Sequence, residues 1–195
     1  MSEQRRSGRI DWGWYRLADA VARSLVESAG VGHGDLVLDL GAGDGAITSR
    51  LAATGARVIA FELHPQRAAL LRRAVARSGT SAVKVVRADV RDLRLPTRPF
   101  RVVANPPFDG ISAILVRLTS TGSRLVRADL IVPRSVALVW QRRLLRRSSA
   151  WLVTGLEPVP RHAFTPRPRI DTCLLTIERH RPQPTDRRRR RRRRP

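Results

Sequence analysis

Residues 39–45, with the sequence DLGAGDG, combine carboxylates and glycines in a pattern that could bind a nucleoside-like cofactor. Glycines let a backbone turn sharply and approach a ligand closely. The spacing also satisfies the loose dinucleotide fingerprint G-x-G-x-x-G/A through Ala46. A pyrophosphate disfavours nearby carboxylates, whereas Asp39 and Asp44 suit a ligand that carries positive charge and no phosphate. The candidate binding residues in this turn are Asp39, Gly41, Gly43 and Gly45.

Further carboxylates follow the next two predicted strands. Glu62 lies 23 residues after Asp39, where a carboxylate can accept both ribose hydroxyls of an adenosine. Asp89 could accept from the adenine amine while Val90 packs on the ring, although Asp89 alone is equally consistent with a turn or helix-capping acid. Three acids at three successive strand ends favour S-adenosylmethionine, a sulfonium and ammonium cofactor, and we expect Leu63 to contact it as well.

The tetrapeptide NPPF, residues 105–108, contains groups that could orient an exocyclic amine for methylation, and Asn105 is also a candidate contact of the cofactor. Adenine N6 is a weak nucleophile, and the Asn105 side-chain oxygen and Pro106 carbonyl could hold its two hydrogens. Pro107 biases the preceding residue toward extended geometry, and Phe108 could stack on an unpaired or flipped base. Catalysis would come from orientation and carbonyl dipoles without a strong general base. A rigid turn after a strand is the alternative interpretation.

Alternating strands and helices are expected to position these motifs. The predicted strands are 35–40, 57–63, 82–90, 100–108, 128–135, 151–159 and 170–178. The predicted helices are 17–31, 46–55, 65–79, 111–122 and 136–148. This alternation predicts an α/β fold with a doubly wound, mostly parallel seven-stranded sheet. The two final strands have no helix between them, which predicts an antiparallel pair at one edge.

The chain is strongly basic, with a net charge of +22 that includes eight consecutive arginines at residues 187–194. Only Lys84 is a lysine, and arginine suits contacts with phosphate and base edges, so we expect a nucleic-acid partner. Codon bias could explain the preference for arginine over lysine, but it would not explain the excess of basic residues over the 16 acidic residues. Cys173 is the single cysteine, and no Cys/His cluster has zinc spacing. Without an apolar signal or membrane-length segment, we expect a cytoplasmic monomer that binds no metal.

The segments DLGAGDG, FEL, RADV and NPPF, in this order, resemble the N6-adenine class of S-adenosylmethionine-dependent methyltransferases. The segment HAFTPRPRIDT is similar to the F-x-P-x-P-x-V-D-S signature of the rRNA adenine N6-methyltransferases, with matches at Phe164, Pro166, Pro168 and Asp171. That family includes Erm macrolide-resistance enzymes and small-subunit dimethyladenosine transferases. The resemblance covers residues 10–178 and implies a Rossmann-like class I methyltransferase fold.

The resemblance also implies roles for residues outside the glycine turn. Phe164 would lie near the target base, opposite or beside Phe108. The family usually opens with Gln-Asn-Phe-Leu, which WYRLAD replaces here, so Trp14 or Tyr15 could stack on the substrate or simply staple the first helix. The chain resembles short Erm-type forms that lack a C-terminal helical domain. We expect a basic, aromatic arm at 1–15, a catalytic domain at 16–178 and a disordered arginine-rich tail at 179–195.

Arginine clusters are the candidate RNA-binding residues. We hypothesise that the segment QRRLLRR and the tail supply RNA affinity in place of the missing domain, although a solubilising tail is the alternative. The candidates are Arg142, Arg143, Arg146, Arg147, Arg187, Arg188, Arg189 and Arg190.

The resemblance favours methylation of one adenine in 23S rRNA near the peptide exit tunnel, which would confer macrolide-type resistance. Either one or two methyl groups could be added. The alternatives are a 16S rRNA dimethyltransferase in ribosome maturation and a DNA adenine N6-methyltransferase, although no target-recognition insertion is visible. A protein glutamine methyltransferase, an inactive RNA-binding assembly factor and an NAD(P)-dependent reductase account for fewer of the motifs.

Overall fold

The computed structural model describes residues 15–145 and 150–180, which alternate between strands and helices as predicted. The helices are α1 (Asp19–Ala29), α2 (Ala46–Ala53), α3 (Pro65–Arg77), α4 (Ile111–Leu118) and α5 (Arg134–Leu145). The strands are β1 (Arg16–Leu17), β2 (Leu36–Leu40), β3 (Arg57–Phe61), β4 (Val83–Val86), β5 (Phe100–Ala104), β6 (Leu125–Pro133), β7 (Trp151–Val159), β8 (Phe164–Thr165) and β9 (Thr172–Arg179). Short 3₁₀ helices occupy Val90–Asp92 and Arg161–Ala163.

Seven strands form one sheet in the order β4-β3-β2-β5-β6-β9-β7. The first five strands in this order are parallel, whereas β9 runs antiparallel to both β6 and β7. The predicted doubly wound, seven-stranded sheet with an antiparallel edge pair is therefore confirmed. The strand order reverses between β2 and β5, and in open α/β sheets the carboxyl edge at such a switch point is where ligands bind.

Some element boundaries differ from the predictions because local turn chemistry intervenes. The strand predicted at 100–108 ends at Ala104, since the prolines that follow lack N–H donors for a ladder. The strand predicted at 82–90 ends at Val86, because Asp89 caps the following 3₁₀ helix. The helix predicted from residue 17 begins at Asp19, because the preceding residues form β1 and pair with β8, which the sequence did not predict.

Alternate residues of β2 face two different helical layers. Leu36, Leu38 and Leu40 pack in a core cluster with α4 and α5, whereas Val37 packs in a second cluster with α1 and α2. α3 packs Leu71 against β3 in a third cluster. All five residues of β2 are buried, as expected for a parallel strand covered on both faces. The end of β2 is consequently held by packing on both sides of the sheet.

A buried ionic network joins β6 to β9 inside the sheet. Asp129, only 1% exposed, accepts from Arg127 at 2.7 and 2.8 Å and from the Thr176 hydroxyl at 2.9 Å. Arg127 also donates to Glu178 at 2.6 Å. These contacts satisfy the buried carboxylate and link the parallel part of the sheet to the antiparallel edge. None of the helices in the described ranges combines the length and apolar character needed to cross a lipid bilayer.

We expect Asp129→Ala to lower the free energy of unfolding by about 3 kcal/mol, because it leaves a partly buried guanidinium without its main partner. Chemical denaturation of the variant and the wild type measures this difference. Glu178→Gln is the matched control, since its carboxylate is more exposed and should contribute less. Equal destabilisation by both variants would contradict the assignment of Asp129 as the centre of the network.

Candidate active site

The carboxyl ends of β2, β3, β4 and β5 surround a cavity of about 310 Å³. Each of these four strand ends contributes residues that the sequence singled out. The predicted site residues that line the cavity are Gly41, Glu62, Leu63, Asp89, Val90, Asn105 and Pro106. The structure therefore places residues of the predicted cofactor motifs and of the NPPF segment around one cavity.

The glycine turn packs directly against the NPPF segment. Gly41 has a φ of +80°, and a Cβ atom added to it would lie 2.9 Å from Cδ of Pro107. The N–H of Gly41 donates to the carbonyl of Phe61 at 2.9 Å, which ties the turn to β3. Gly45 lies at the start of α2 and does not line this cavity; a Cβ there would meet Leu71 at 2.5 Å. Gly41 thus shapes the cavity, whereas Gly45 permits helix packing.

Asp39 is buried beneath the glycine turn at the end of β2. Its Oδ2 accepts from the Thr48 hydroxyl at 2.6 Å, and its Oδ1 has no hydrogen-bond partner among the described residues. The pKa of Asp39 is raised to about 7, mainly by burial and to a smaller extent by the nearby carboxylates of Glu62 and Asp44, while the hydrogen bond from Thr48 lowers it. A cation placed near Asp39 would favour its ionised form.

Glu62 is buried at the end of β3 and already accepts several hydrogen bonds. Its Oε2 accepts from the N–H of Gly43 at 2.9 Å, and its Oε1 accepts from the N–H of His64 at 2.7 Å and from Arg67 at 3.3 Å. Gly43 therefore supports the carboxylate and is not among the cavity-lining residues. Ribose hydroxyls that bind Glu62 would share its oxygens with these donors.

Asp89 lines the cavity and also caps the 3₁₀ helix that follows β4. Its Oδ1 accepts from the Arg91 N–H at 2.9 Å, and its Oδ2 accepts from the Arg91 guanidinium at 2.6 Å. These hydrogen bonds lower the pKa of Asp89. The guanidinium also lies 3.7 Å from Asp109, just after the NPPF segment. Asp89 therefore caps the 3₁₀ helix. It also lines the cavity, and its contact with the cofactor stays a prediction.

Asn105 presents a buried oxygen with no hydrogen-bond partner among the described residues. Its Nδ2 donates to the backbone carbonyl of Tyr15 at 2.8 Å, which leaves Oδ1 as the unpaired atom. Pro106 is buried beside it and also lines the cavity. The unpaired amide oxygen is one of the two acceptors that an exocyclic amine would need, and the Pro106 carbonyl stays the predicted second one.

Tyr15 is the aromatic residue that contacts both predicted base-stacking rings. Its ring lies 5.1 Å from that of Phe108 at an interplanar angle of 32°, and 6.4 Å from that of Phe164 at 77°. Phe164 is only 2% exposed and belongs to the core cluster that contains α1 and α2. Its predicted contact with the target base stays a prediction, and Tyr15 and Phe108 are the more accessible rings. Trp14 lies outside the described residues.

The predicted RNA-binding arginines lie away from the cavity wall or outside the described residues. Arg142 and Arg143 are exposed in the last turn of α5, and the Arg143 guanidinium lies 4.8 Å from the ring of Trp140. Because α5 leaves the carboxyl end of β6, its last turn lies some three helical turns from that edge. Arg146, Arg147 and Arg187–Arg190 are outside the described residues.

The sequence analysis missed four arginines at the site. Arg67, Arg87 and Arg91 line the cavity, and Arg16 contacts Asp44 of the glycine turn at 2.5 Å. Arginine is so abundant in this chain that none of these positions was distinctive in the sequence. The described residues contain no group of three or more His, Cys, Asp or Glu side chains that could hold a metal ion.

The chain is 32% identical over 179 residues to the ribosomal RNA small subunit methyltransferase A of Leifsonia xyli subsp. xyli, covering 84% of this chain and 63% of that protein. It is 35% identical over 180 residues to the mycinamicin-resistance protein MyrB of Micromonospora griseorubida, covering 88% of this chain and 56% of that protein. The chain thus spans roughly three fifths of the length of the curated relatives it matches.

Solved structures show the same fold at lower sequence identity. The 23S rRNA methyltransferase ErmE superposes with a TM-score of 0.67 at 23% identity, covering 83% of this chain and 68% of ErmE. A dimethyladenosine transferase from Plasmodium falciparum superposes with a TM-score of 0.72 at 20% identity, covering 84% of this chain and 63% of that structure. These likenesses confirm the Rossmann-like class I methyltransferase fold. The family model described as ribosomal RNA adenine dimethylase matches residues 15–191. The chain belongs to the ribosomal RNA adenine dimethylase family.

Proposed function

We propose that this chain transfers a methyl group from S-adenosylmethionine to N6 of an adenine in ribosomal RNA. The observation that carries the proposal is the unpaired, buried Oδ1 of Asn105, a residue that lines the cavity together with Pro106. Few buried polar atoms in folded proteins lack a partner, so such an atom in a cavity suggests an absent ligand group. An amine with two hydrogens would satisfy this oxygen and the Pro106 carbonyl.

The residues around the cavity fit S-adenosylmethionine on the chemistry of their donors and acceptors. Asp39 offers a second unpaired buried acceptor and a pKa near 7 that responds to a positive charge. Glu62 and Asp89 place carboxylates at the next two strand ends, and Leu63 and Val90 supply apolar contacts beside them. Asp39 would hold the amino acid part of the cofactor, Glu62 the ribose and Asp89 the adenine. The bound cofactor would supply an electrophilic methyl group on its sulfonium.

The chain would promote methyl transfer by orienting the adenine amine relative to the cofactor. Asn105 Oδ1 and the Pro106 carbonyl would accept the two amine hydrogens and aim the N6 lone pair into the cavity. Their partial negative charge would stabilise the positive charge that develops on nitrogen as it bonds carbon. The rings of Tyr15 and Phe108 would hold the base plane after it leaves its stack. One proton then leaves the methylated nitrogen for solvent, so no strong general base is required.

The favoured substrate is 23S rRNA at one adenine near the exit tunnel, with macrolide-type resistance as the consequence. The similarity to a mycinamicin-resistance protein supports this choice. The similarity to small subunit methyltransferase A supports the second candidate, 16S rRNA dimethylation in ribosome maturation. DNA adenine methylation is the third candidate, which the NPPF segment alone would permit. Cytoplasmic action of a monomer on naked or assembling RNA accords with these substrates.

We expect the protein to transfer labelled methyl groups from S-adenosylmethionine to protein-free 23S rRNA more efficiently than to 16S rRNA. Asn105→Ala should reduce the rate at saturating cofactor by about 100-fold or more, because it removes one of two orienting acceptors. Thermal unfolding and cofactor binding of the variant, measured separately, control for misfolding.

Mapping of the labelled adenine and analysis of the product nucleoside complete that experiment. Label on 16S rRNA alone would move the proposal to the maturation enzyme, and the nucleoside would distinguish one methyl group from two. Absence of transfer to either RNA, to assembled subunits and to DNA would contradict adenine methylation altogether.

We expect the affinity for S-adenosylmethionine to rise as pH increases from about 5.5 to 7. The free protein keeps Asp39 mostly protonated below its pKa of about 7, and a cationic ligand favours the ionised form, so binding releases a proton. Calorimetric titrations near pH 6 in buffers of different ionisation enthalpy measure this proton. Asp39→Asn should abolish the release, and an unchanged release in this variant would assign the linkage to another group.

We expect replacement of Arg187–Arg194 by eight glutamines to weaken RNA binding and to flatten its dependence on salt, because fewer counterions are released. Replacement by eight lysines is the matched control, since it keeps charge and length. Filter-binding affinities at several salt concentrations provide the measurement. Identical salt slopes for the wild type and the glutamine variant would refute a role of the tail in RNA affinity.

A further inference from the structure

Residues Tyr15–Ala18, which we call the N-terminal strap, contact three parts of the candidate active site. Arg16 and Leu17 pair with Thr165 and Phe164 of β8, and the N–H of Ala18 donates to the carbonyl of Ala163 at 2.7 Å. These contacts join the strap to the segment that carries the FTPRPRIDT motif. The pairing covers only two residues on each strand, and such a short ribbon has little stability of its own.

The strap determines which way the Asn105 amide faces. The Tyr15 carbonyl accepts from Asn105 Nδ2 at 2.8 Å, so the amide oxygen is left unpaired. A flipped amide would place two acceptor oxygens against each other, which is unfavourable. The orientation with a free Oδ1 therefore depends on the carbonyl staying in place. That carbonyl belongs to the backbone, so the contacts that hold the strap in place also hold the orientation of the amide.

An ion pair fixes the strap to the glycine turn. Arg16 Nε contacts Asp44 Oδ2 at 2.5 Å, and a second Arg16 nitrogen lies 3.6 Å from Asp19. Arg50 of α2 also lies 3.6 Å from Asp19, so the same carboxylate is held from the helix that follows the glycine turn. Asp44 stands between two glycines of that turn, which in turn packs on the NPPF segment through Gly41. The strap thus bridges both sides of the cavity.

We propose that Arg16 is a positioning residue for Asn105. Its ion pair with Asp44 keeps the strap closed, the closed strap keeps the Tyr15 carbonyl on Asn105 Nδ2, and Asn105 Oδ1 then remains available as an acceptor. The effect on methyl transfer rests on the function proposed above, whereas the effect on the amide does not. Arg16 and Asp44 side chains are 46% and 42% exposed, so their loss should hardly affect global stability.

The side-chain amide of Asn105 can be observed separately from all others, because Asn105 is the only asparagine in the chain. Selective labelling of asparagine side chains with ¹⁵N gives a single NH₂ group, whose exchange with solvent reports the hydrogen bond to Tyr15. We expect slow exchange in the wild type and about fivefold faster exchange in Arg16→Met, a factor typical of losing one exposed ion pair. Arg16→Lys, which keeps the charge, should restore most of the protection.

Glu178→Gln is the matched control variant. It breaks an ion pair of similar length between β6 and β9, Arg127–Glu178 at 2.6 Å, whose side chains are 24% and 38% exposed. Its amide exchange should equal that of the wild type. Unchanged exchange in Arg16→Met, or equal acceleration in Glu178→Gln, would overturn the proposal.

Kinetics with rRNA supply the second measurement. For Arg16→Met we expect kcat to fall about fivefold while the KM for S-adenosylmethionine changes less than twofold, because the strap orients Asn105 and does not hold the cofactor. A change in KM alone would overturn the positioning role. If the wild type transfers no methyl group to rRNA, the proposed function fails, and the exchange measurement in the free protein still decides whether Arg16 positions Asn105.

Discussion

The parallel pairing of β2 with β5 is the constraint on which the rest of the site depends. Leu38 lies beside Val102 in this pair, so the two strands deliver the glycine turn and the NPPF segment to the same edge of the sheet. The contact between Gly41 and Pro107 is so close that a single added carbon would disrupt it. The two segments proposed to bind the cofactor and the target base are therefore brought together by backbone packing.

The candidate site is rich in acidic side chains, although the chain as a whole is strongly basic. A protein with a net charge of +22 concentrates carboxylates at three strand ends and in the glycine turn, and balances their charge in two ways. Asp39 is buried with a raised pKa, whereas Glu62, Asp89 and Asp44 are paired with Arg67, Arg91 and Arg16, respectively. The basic surface can attract polyanions, while the cavity remains suited to a cation.

The sequence predicted the sheet and most of the cavity because periodicity and glycine spacing are local signals. Acids at strand ends and the NPPF segment could be placed on one edge from topology alone, before any contact was known. The strap could not be predicted, since a two-residue strand has no periodicity and its partner β8 is distant in sequence. The hydrogen bond from Asn105 to Tyr15 likewise uses a backbone carbonyl. Every residue has such a carbonyl, so the sequence gives no signal for this contact.

The pairing of β1 with β8 joins residues from opposite ends of the described chain. During synthesis the strap leaves the ribosome early, but its partner strand is added only after all but one of the strands of the main sheet. Closing so long a loop is slow and is favourable only once the intervening domain is compact. A nascent chain therefore cannot orient Asn105 through the strap until β8 has been synthesised and has followed the strands β2 to β7 out of the ribosome.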